Sequence, residues 1–250
     1  MTEPRKNAVV LGASARNGTG WKICETLAAA GYNVCASART EDGVKELSQL
    51  INGEYMSCDA TVESEVENLA RKAHGGAGFD IAILVAGEGV TGTIDAISQE
   101  TLDHAITLNF YAPVYFLRHM ARNIKSGGRM VFISSIAAHR PWPGVFSYGC
   151  SKAALETLVR YAALEYAPKG ISVNAVAPGP ILTPTTEPRL KDEKIGGRMV
   201  KEIPQGRFVT AQEVADAVVW LATKASSING ESILIDGGMH LRRALQPTDP

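Results

Sequence analysis

Seven short apolar runs, at about 7–11, 33–36, 54–58, 80–86, 129–134, 171–176 and 231–235, alternate along the chain with longer stretches of helical periodicity. Those stretches include Val62 to Ala73, Leu102 to Ile124, Tyr148 to Ala167 and Ala211 to Thr223. Runs this short and this apolar suit strands buried on both faces, and an intervening helix is the connection that parallel neighbours require. The pattern predicts an α/β fold, a single doubly wound Rossmann-like domain over residues 1–250 with a seven-stranded parallel sheet flanked by helices. A chain of 250 residues can bury one sizeable core, and no repeat or low-complexity linker divides it. One stretch interrupts the alternation: residues at about 184–204 are rich in charge and glycine, which suits either a lid over a substrate or an ordered surface excursion.

In open sheets of this kind, ligands bind beyond the carboxyl ends of the strands. There the sequence puts Gly12, Gly87, Ser135 and Gly179. The first strand runs into Gly12-Ala13-Ser14-Ala15-Arg16-Asn17-Gly18-Thr19-Gly20, followed by the helical pattern of Ile23, Leu27 and Ala30. A strand, a glycine-rich turn and a helix in that order present backbone N–H groups to a pyrophosphate at the positive end of the helix. Glycines alone serve a tight turn just as well; the position at the first strand favours the phosphate reading, with Gly12, Ser14, Arg16, Gly18 and Gly20 as candidate contacts. The second strand ends in Ser37-Ala38-Arg39-Thr40, without the acidic residue that would bind a ribose 2′-hydroxyl. Arg39 offers a cationic fork to a 2′-phosphate instead, so NADP(H) is the preferred cofactor and NAD(H) a possible one.

The candidate chemistry lies further on. Tyr148 and Lys152 are four residues apart at the start of a helical run, and therefore share one helix face, with Ser135 thirteen residues before the tyrosine. An ammonium beside a phenol favours phenolate and brings the tyrosine closer to a working acid or base. A serine hydroxyl reaching the same substrate oxygen would orient it. Such a set suits the interconversion of a carbonyl and an alcohol.

With these motifs in this order, the chain resembles the short-chain dehydrogenase/reductase family of the Tyr-x-x-x-Lys type along nearly its whole length. The resemblance implies that Asp59 and Ala60 contact the adenine, that Ala86-Gly87 ends the central strand motif, and that Asn109 holds a water relaying protons to the lysine. It implies a catalytic Ser135, Tyr148 and Lys152, nicotinamide contacts in Pro178, Gly179, Ile181 and Thr183, and a homotetramer or homodimer built on the long helices. Two departures stand out. Gly12 and Gly18 are six residues apart, two more than the usual signature, which leaves open whether Arg16 takes the basic position that NADP-dependent members use. The lengthened turn is similar to that of the enoyl-thioester reductases, but those space tyrosine and lysine more widely than this chain does. The second departure is Leu84-Val85 in place of paired asparagines, which predicts apolar packing there.

The substrate is less legible. Ala137 to Gly144 lies between Ser135 and Tyr148, so Arg140 is a candidate partner for an anionic substrate, Trp142 for an apolar one, and His139 and Glu88 are nearby candidates. Free ketones and 3-oxoacyl thioesters both fit, and a dinucleotide sensor without turnover is the remaining alternative. The net charge of −1, with basic residues dispersed, gives no nucleic-acid footprint. Four scattered cysteines and five isolated histidines lack metal-ligand spacing, so no metal is expected. No run approaches a membrane span and the N-terminus lacks an apolar signal region, so a cytoplasmic protein with a small-molecule substrate is expected. Cys150, off the Tyr148 face, is expected to pack, and Leu241 to Pro250 either reaches a neighbouring subunit or frays.

Overall fold

The computed structural model describes residues 5–242, so the N-terminal tetrapeptide and all of the tail beyond Arg242 lie outside the described residues. The first half runs β1 (Asn7–Leu11), α1 (Thr19–Ala29), β2 (Asn33–Ala38), α2 (Glu41–Ile51), β3 (Glu54–Ser57), α3 (Glu63–Lys72) and β4 (Phe79–Leu84). The second runs α4 (Gln99–Ile106), α5 (Ala112–Asn123), β5 (Ile124–Ile133), α6 (Phe146–Tyr166) and β6 (Ser172–Pro178), then β7 (Ile181–Leu182), α7 (Glu187–Leu190), α8 (Gly196–Lys201), β8 (Val209–Thr210), α9 (Ala211–Thr223) and β9 (Ser232–Ile235). Seven strands form one sheet in the order β3-β2-β1-β4-β5-β6-β9, every pair parallel. The order reverses between β1 and β4, which opens the crevice where doubly wound sheets bind ligands.

Alternation along the strands divides the core into two layers. In β4, Ala82 and Leu84 pack toward α3, α5 and α6, whereas Ile81 and Ile83 pack toward α1 and α9. Successive strand residues point to opposite faces, so a strand apolar throughout is covered on both sides. On the first face, Phe116 of α5 meets Phe132 of β5 edge-on, with ring centroids 5.8 Å apart. Leu84 is buried there, as its replacement of a polar residue predicts.

Two expectations change in detail. Strand β5 begins at Ile124, because Ile124 pairs with Phe79 ahead of a register shift; polar Lys125-Ser126-Gly127 hides that start. The expected helix at 102–124 is interrupted by a π-helical turn, Thr107–Tyr111, between α4 and α5. Pro113 has no N–H to give the carbonyl of Asn109 four residues back, so a regular α-helix cannot close there.

After β6 the chain leaves the sheet and returns beside itself. Strands β7 and β8 pair in parallel, Ile181 with Val209 and Leu182 with Thr210, and hold both ends of an excursion that contains α7 and α8. This excursion is the 184–204 stretch.

Candidate active site

Ser135 follows β5, and its Oγ accepts a hydrogen bond from Ala137 N at 3.1 Å, which holds the following turn. Helix α6 begins at Phe146 and carries Tyr148 and Lys152 on successive turns of its N-terminal end. The three side chains line one cavity of about 780 Å³ with Gly12, Gly18 and Gly20 of the first turn, Ala86 and Gly87 after β4, and Gly179, Ile181 and Thr183 after β6. The Ser135 hydroxyl is close enough to the Tyr148 phenol to lower its pKa. Lys152 Nζ donates to Ile133 O at 2.8 Å and stands 5.7 Å from the centroid of the Tyr148 ring.

Burial pushes the Tyr148 phenol above its ordinary value, and the Ser135 hydrogen bond opposes it. Burial likewise brings Lys152 down to about 8, against the raising influence of the Glu156 carboxylate. Spacing alone predicted that the ammonium would pull the phenol down. In the folded chain desolvation dominates both groups, with the Lys152 ammonium over the Tyr148 ring.

Glu156 had no place in the sequence reading. It is buried one turn beyond Lys152, and its Oε1 accepts from Ser134 Oγ at 2.7 Å and Ser232 Oγ at 2.8 Å, with His139 Nε2 3.0 Å away. The i,i+4 offset from Lys152 was the available signal. Asn109, fully buried in the π turn, clamps the backbone of Glu88: Oδ1 accepts from Glu88 N at 3.1 Å and Nδ2 donates to Glu88 O at 3.0 Å.

The other candidates divide. Arg16 forms an exposed ion pair with Glu46 at 2.9 Å. Arg39 lies exposed just past β2; burial raises the Asp59 carboxyl, but hydrogen bonds from Thr61 and, after them, the Arg39 charge bring it below its ordinary value. Ser14 is half-buried and Ala60 buried; neither lines the cavity, nor do Arg16, Arg39, Asp59 and Pro178. Trp142 is on the cavity wall, and Glu88, His139 and Arg140 are not. Glu88 pairs with His104 at 3.1 Å, and His139 faces Glu156. Arg140, away from the cavity wall, is held by Glu202 at 2.6 Å and by Met239 O at 3.1 Å. Cys150 is exposed rather than packed.

The cavity suits a dinucleotide. A Cβ at Gly12, whose φ is +106°, would lie 2.4 Å from Ala86 N, so only glycine lets the first turn press against the end of β4. At Gly87 a Cβ would meet Lys152 Nζ at 2.9 Å and Asn109 Oδ1 at 3.0 Å, filling the space between those polar groups. What remains is a trough from the first turn to Tyr148, within the size range of small-molecule sites.

A family model described as enoyl-(acyl carrier protein) reductase matches residues 12–240. The human dehydrogenase/reductase SDR family member 4 is 32% identical over 250 residues, covering 94% of this chain and 88% of its own. The 3-oxoacyl-[acyl-carrier-protein] reductase FabG of Escherichia coli is 32% identical over 243 residues, 94% of this chain and 98% of its own. Among solved structures, a short-chain dehydrogenase/reductase of Serratia marcescens superposes with a TM-score of 0.87 at 28% identity, covering 94% of this chain and 98% of its own. BdcA in complex with NADPH gives 0.84 at 30% identity, over 93% of each chain. A match of this extent settles the lineage: the chain belongs to the short-chain dehydrogenase/reductase family, and it is an NAD(P)-dependent oxidoreductase.

Proposed function

We propose that the chain is a single-domain, NADP(H)-dependent reductase of ketones or aldehydes, working reversibly on the corresponding alcohols. The observation that carries this reading is that Ser135, Tyr148 and Lys152 line one cavity together with the glycines of the first turn. When bound, the reduced nicotinamide supplies a hydride to the carbonyl carbon. Tyr148 gives its phenolic proton to the carbonyl oxygen, or takes one from the alcohol in the other direction. Ser135 orients that oxygen, and Lys152 holds the nicotinamide ribose and restores the proton to Tyr148. Asn109 supports the relay, its main-chain carbonyl freed from an α-helical partner by Pro113. The turn from Gly12 to Gly20 takes the pyrophosphate, with Ser14 and Arg16 at its rim. Arg39 reads the 2′-phosphate, Asp59 and Ala60 flank the adenine, and Ala86, Gly87, Pro178, Gly179, Ile181 and Thr183 hold the nicotinamide side.

Reduction of a 3-oxoacyl thioester is the second reading, supported by the printed activity of the Escherichia coli relative. The four-residue Tyr148–Lys152 offset favours a carbonyl substrate over the enoyl one in the family model's description. A homotetramer or homodimer in the cytoplasm completes the proposal; no helix among the described residues is long and apolar enough to cross a membrane.

The test is Tyr148→Phe. Turnover of a ketone panel is expected to fall by roughly 10²–10⁴-fold, while titration followed by nicotinamide fluorescence still shows binding and prefers NADPH to NADH. An active variant would end the assignment of Tyr148, and preference for NADH would remove Arg39 as the phosphate reader.

A further inference from the structure

Every charged residue lining the cavity, among the described residues, is a cation: Lys152 of α6, and Arg189, Lys194 and Arg198 contributed by the 184–204 excursion. The chain as a whole carries a net charge of −1, so this is a local choice of sign rather than a basic protein's background. The excursion has acids of its own, Glu187, Asp192, Glu193 and Glu202, but none of them lines the cavity. Glu187 pairs with Lys191, Glu202 with Arg140, and Asp192 accepts from the backbone N–H groups of Lys194 and Ile195. Among the described residues, Arg189, Lys194 and Arg198 pair with no carboxylate. Beside them the wall is apolar, with Trp142, Ile195 and Met199.

Three cations on one wall repel each other, and a concave wall of one sign concentrates counter-ions. The dinucleotide's own phosphates are accounted for under the proposed function at the Gly12–Gly20 turn and at Arg39, on the first two strands. The excursion instead follows Thr183, and its cations line the same cavity as Ser135, Tyr148 and Trp142.

Resting on the reductase reading, we propose that the carbonyl substrate is an amphiphilic anion, with a carboxylate or phosphate gripped by Arg189, Lys194 and Arg198 and an apolar body laid against Trp142, Ile195 and Met199. The excursion is then the element that sets specificity. The role that the sequence suggested for Arg140 passes to these three cations, because Arg140 is occupied by Glu202.

The experiment uses two matched pairs with saturating NADPH: 6-oxoheptanoate against its methyl ester, and 3-oxooctanoyl-coenzyme A against the neutral 3-oxooctanoyl-N-acetylcysteamine thioester. The first pair tests a carboxylate and the second a phosphate. In at least one pair kcat/KM for the anion exceeds that of the neutral partner at least about tenfold, the worth of one charge-assisted hydrogen bond. The triple variant Arg189→Gln, Lys194→Gln, Arg198→Gln brings that ratio close to one, whereas Glu193→Gln, on the same excursion but off the wall, does not. Binding is read separately by calorimetry of the same compounds to the full chain saturated with NADP⁺. Equal affinity for anionic and neutral members overturns the proposal. So does a triple variant that weakens NADPH binding while keeping the anion ratio, since the cations would then belong to the cofactor. Preferential anion binding without turnover of any compound supports the cationic site and counts against the reductase reading alone.

Discussion

Glu156 is the residue through which three parts of the site meet. Its carboxylate joins Ser134 beside Ser135, His139 on the loop above, and Ser232 of β9 to the helix that carries Tyr148 and Lys152. It also raises a Lys152 that burial has brought down to about 8. Neutralising it removes that support, so Glu156→Gln is expected to move the alkaline limb of the kcat–pH profile about one pH unit lower. Below that limb Lys152 keeps its proton and turnover persists; an unmoved limb would make Glu156 purely structural. At this scale the sequence carried what lies along one element. Tyr148 and Lys152 were legible because helix periodicity is written into their spacing. The partners of Arg140 were not, since Glu202 lies 62 residues away and no local pattern links the two.

Helix α9 owes its start to one side chain on each side of the boundary. Thr210 Oγ1 accepts from Glu213 N at 3.2 Å, Glu213 accepts from Thr210 N at 2.8 Å, and Arg207 grips the same carboxylate at 2.6 and 3.0 Å. The Arg207 hydrogen bonds, followed by that of Thr210, take the Glu213 pKa down to about 2. A depressed carboxylate stabilises the fold above its ordinary range and loses that contribution as pH falls through about 2. Thr210→Ala is expected to cost about 1 kcal/mol at neutral pH, read as a lower denaturation midpoint with an unchanged slope, and the deficit shrinks as the solution is acidified. A constant deficit down to pH 2 would separate the cap from the carboxylate. Helices α6 and α9 appear within a residue or two of where their periodicity places them. The π turn was hidden because apolar spacing runs through it, although Pro113 marks the carbonyl left over.

For the whole molecule, a parallel doubly wound sheet of seven strands followed from the alternation of strands and helices, and the structure adds their order, β3-β2-β1-β4-β5-β6-β9. Assembly was not legible in that way, because a face becomes an interface only when the surface is folded. On α6, Tyr161 and Leu164 are 59% and 74% exposed, one turn apart on a helix whose Leu155, Val159, Ala162 and Ala163 pack into the core. Apolar surface so placed suits the helix-paired homotetramer or homodimer proposed above. Tyr161→Glu with Leu164→Glu is expected to yield a smaller species in sedimentation with an unchanged far-ultraviolet spectrum; a wild-type monomer would refute the assembly. Finally, the pairing of β7 with β8 has a use beyond joining two short strands. Because Ile181 and Leu182 lie beside Val209 and Thr210, residues 183–208 leave and re-enter the body at one point, as an exchangeable cassette. With its ends pinned, doubling its length costs only about 0.6 kcal/mol in closure entropy, so new recognition chemistry can be grafted onto an unaltered catalytic frame.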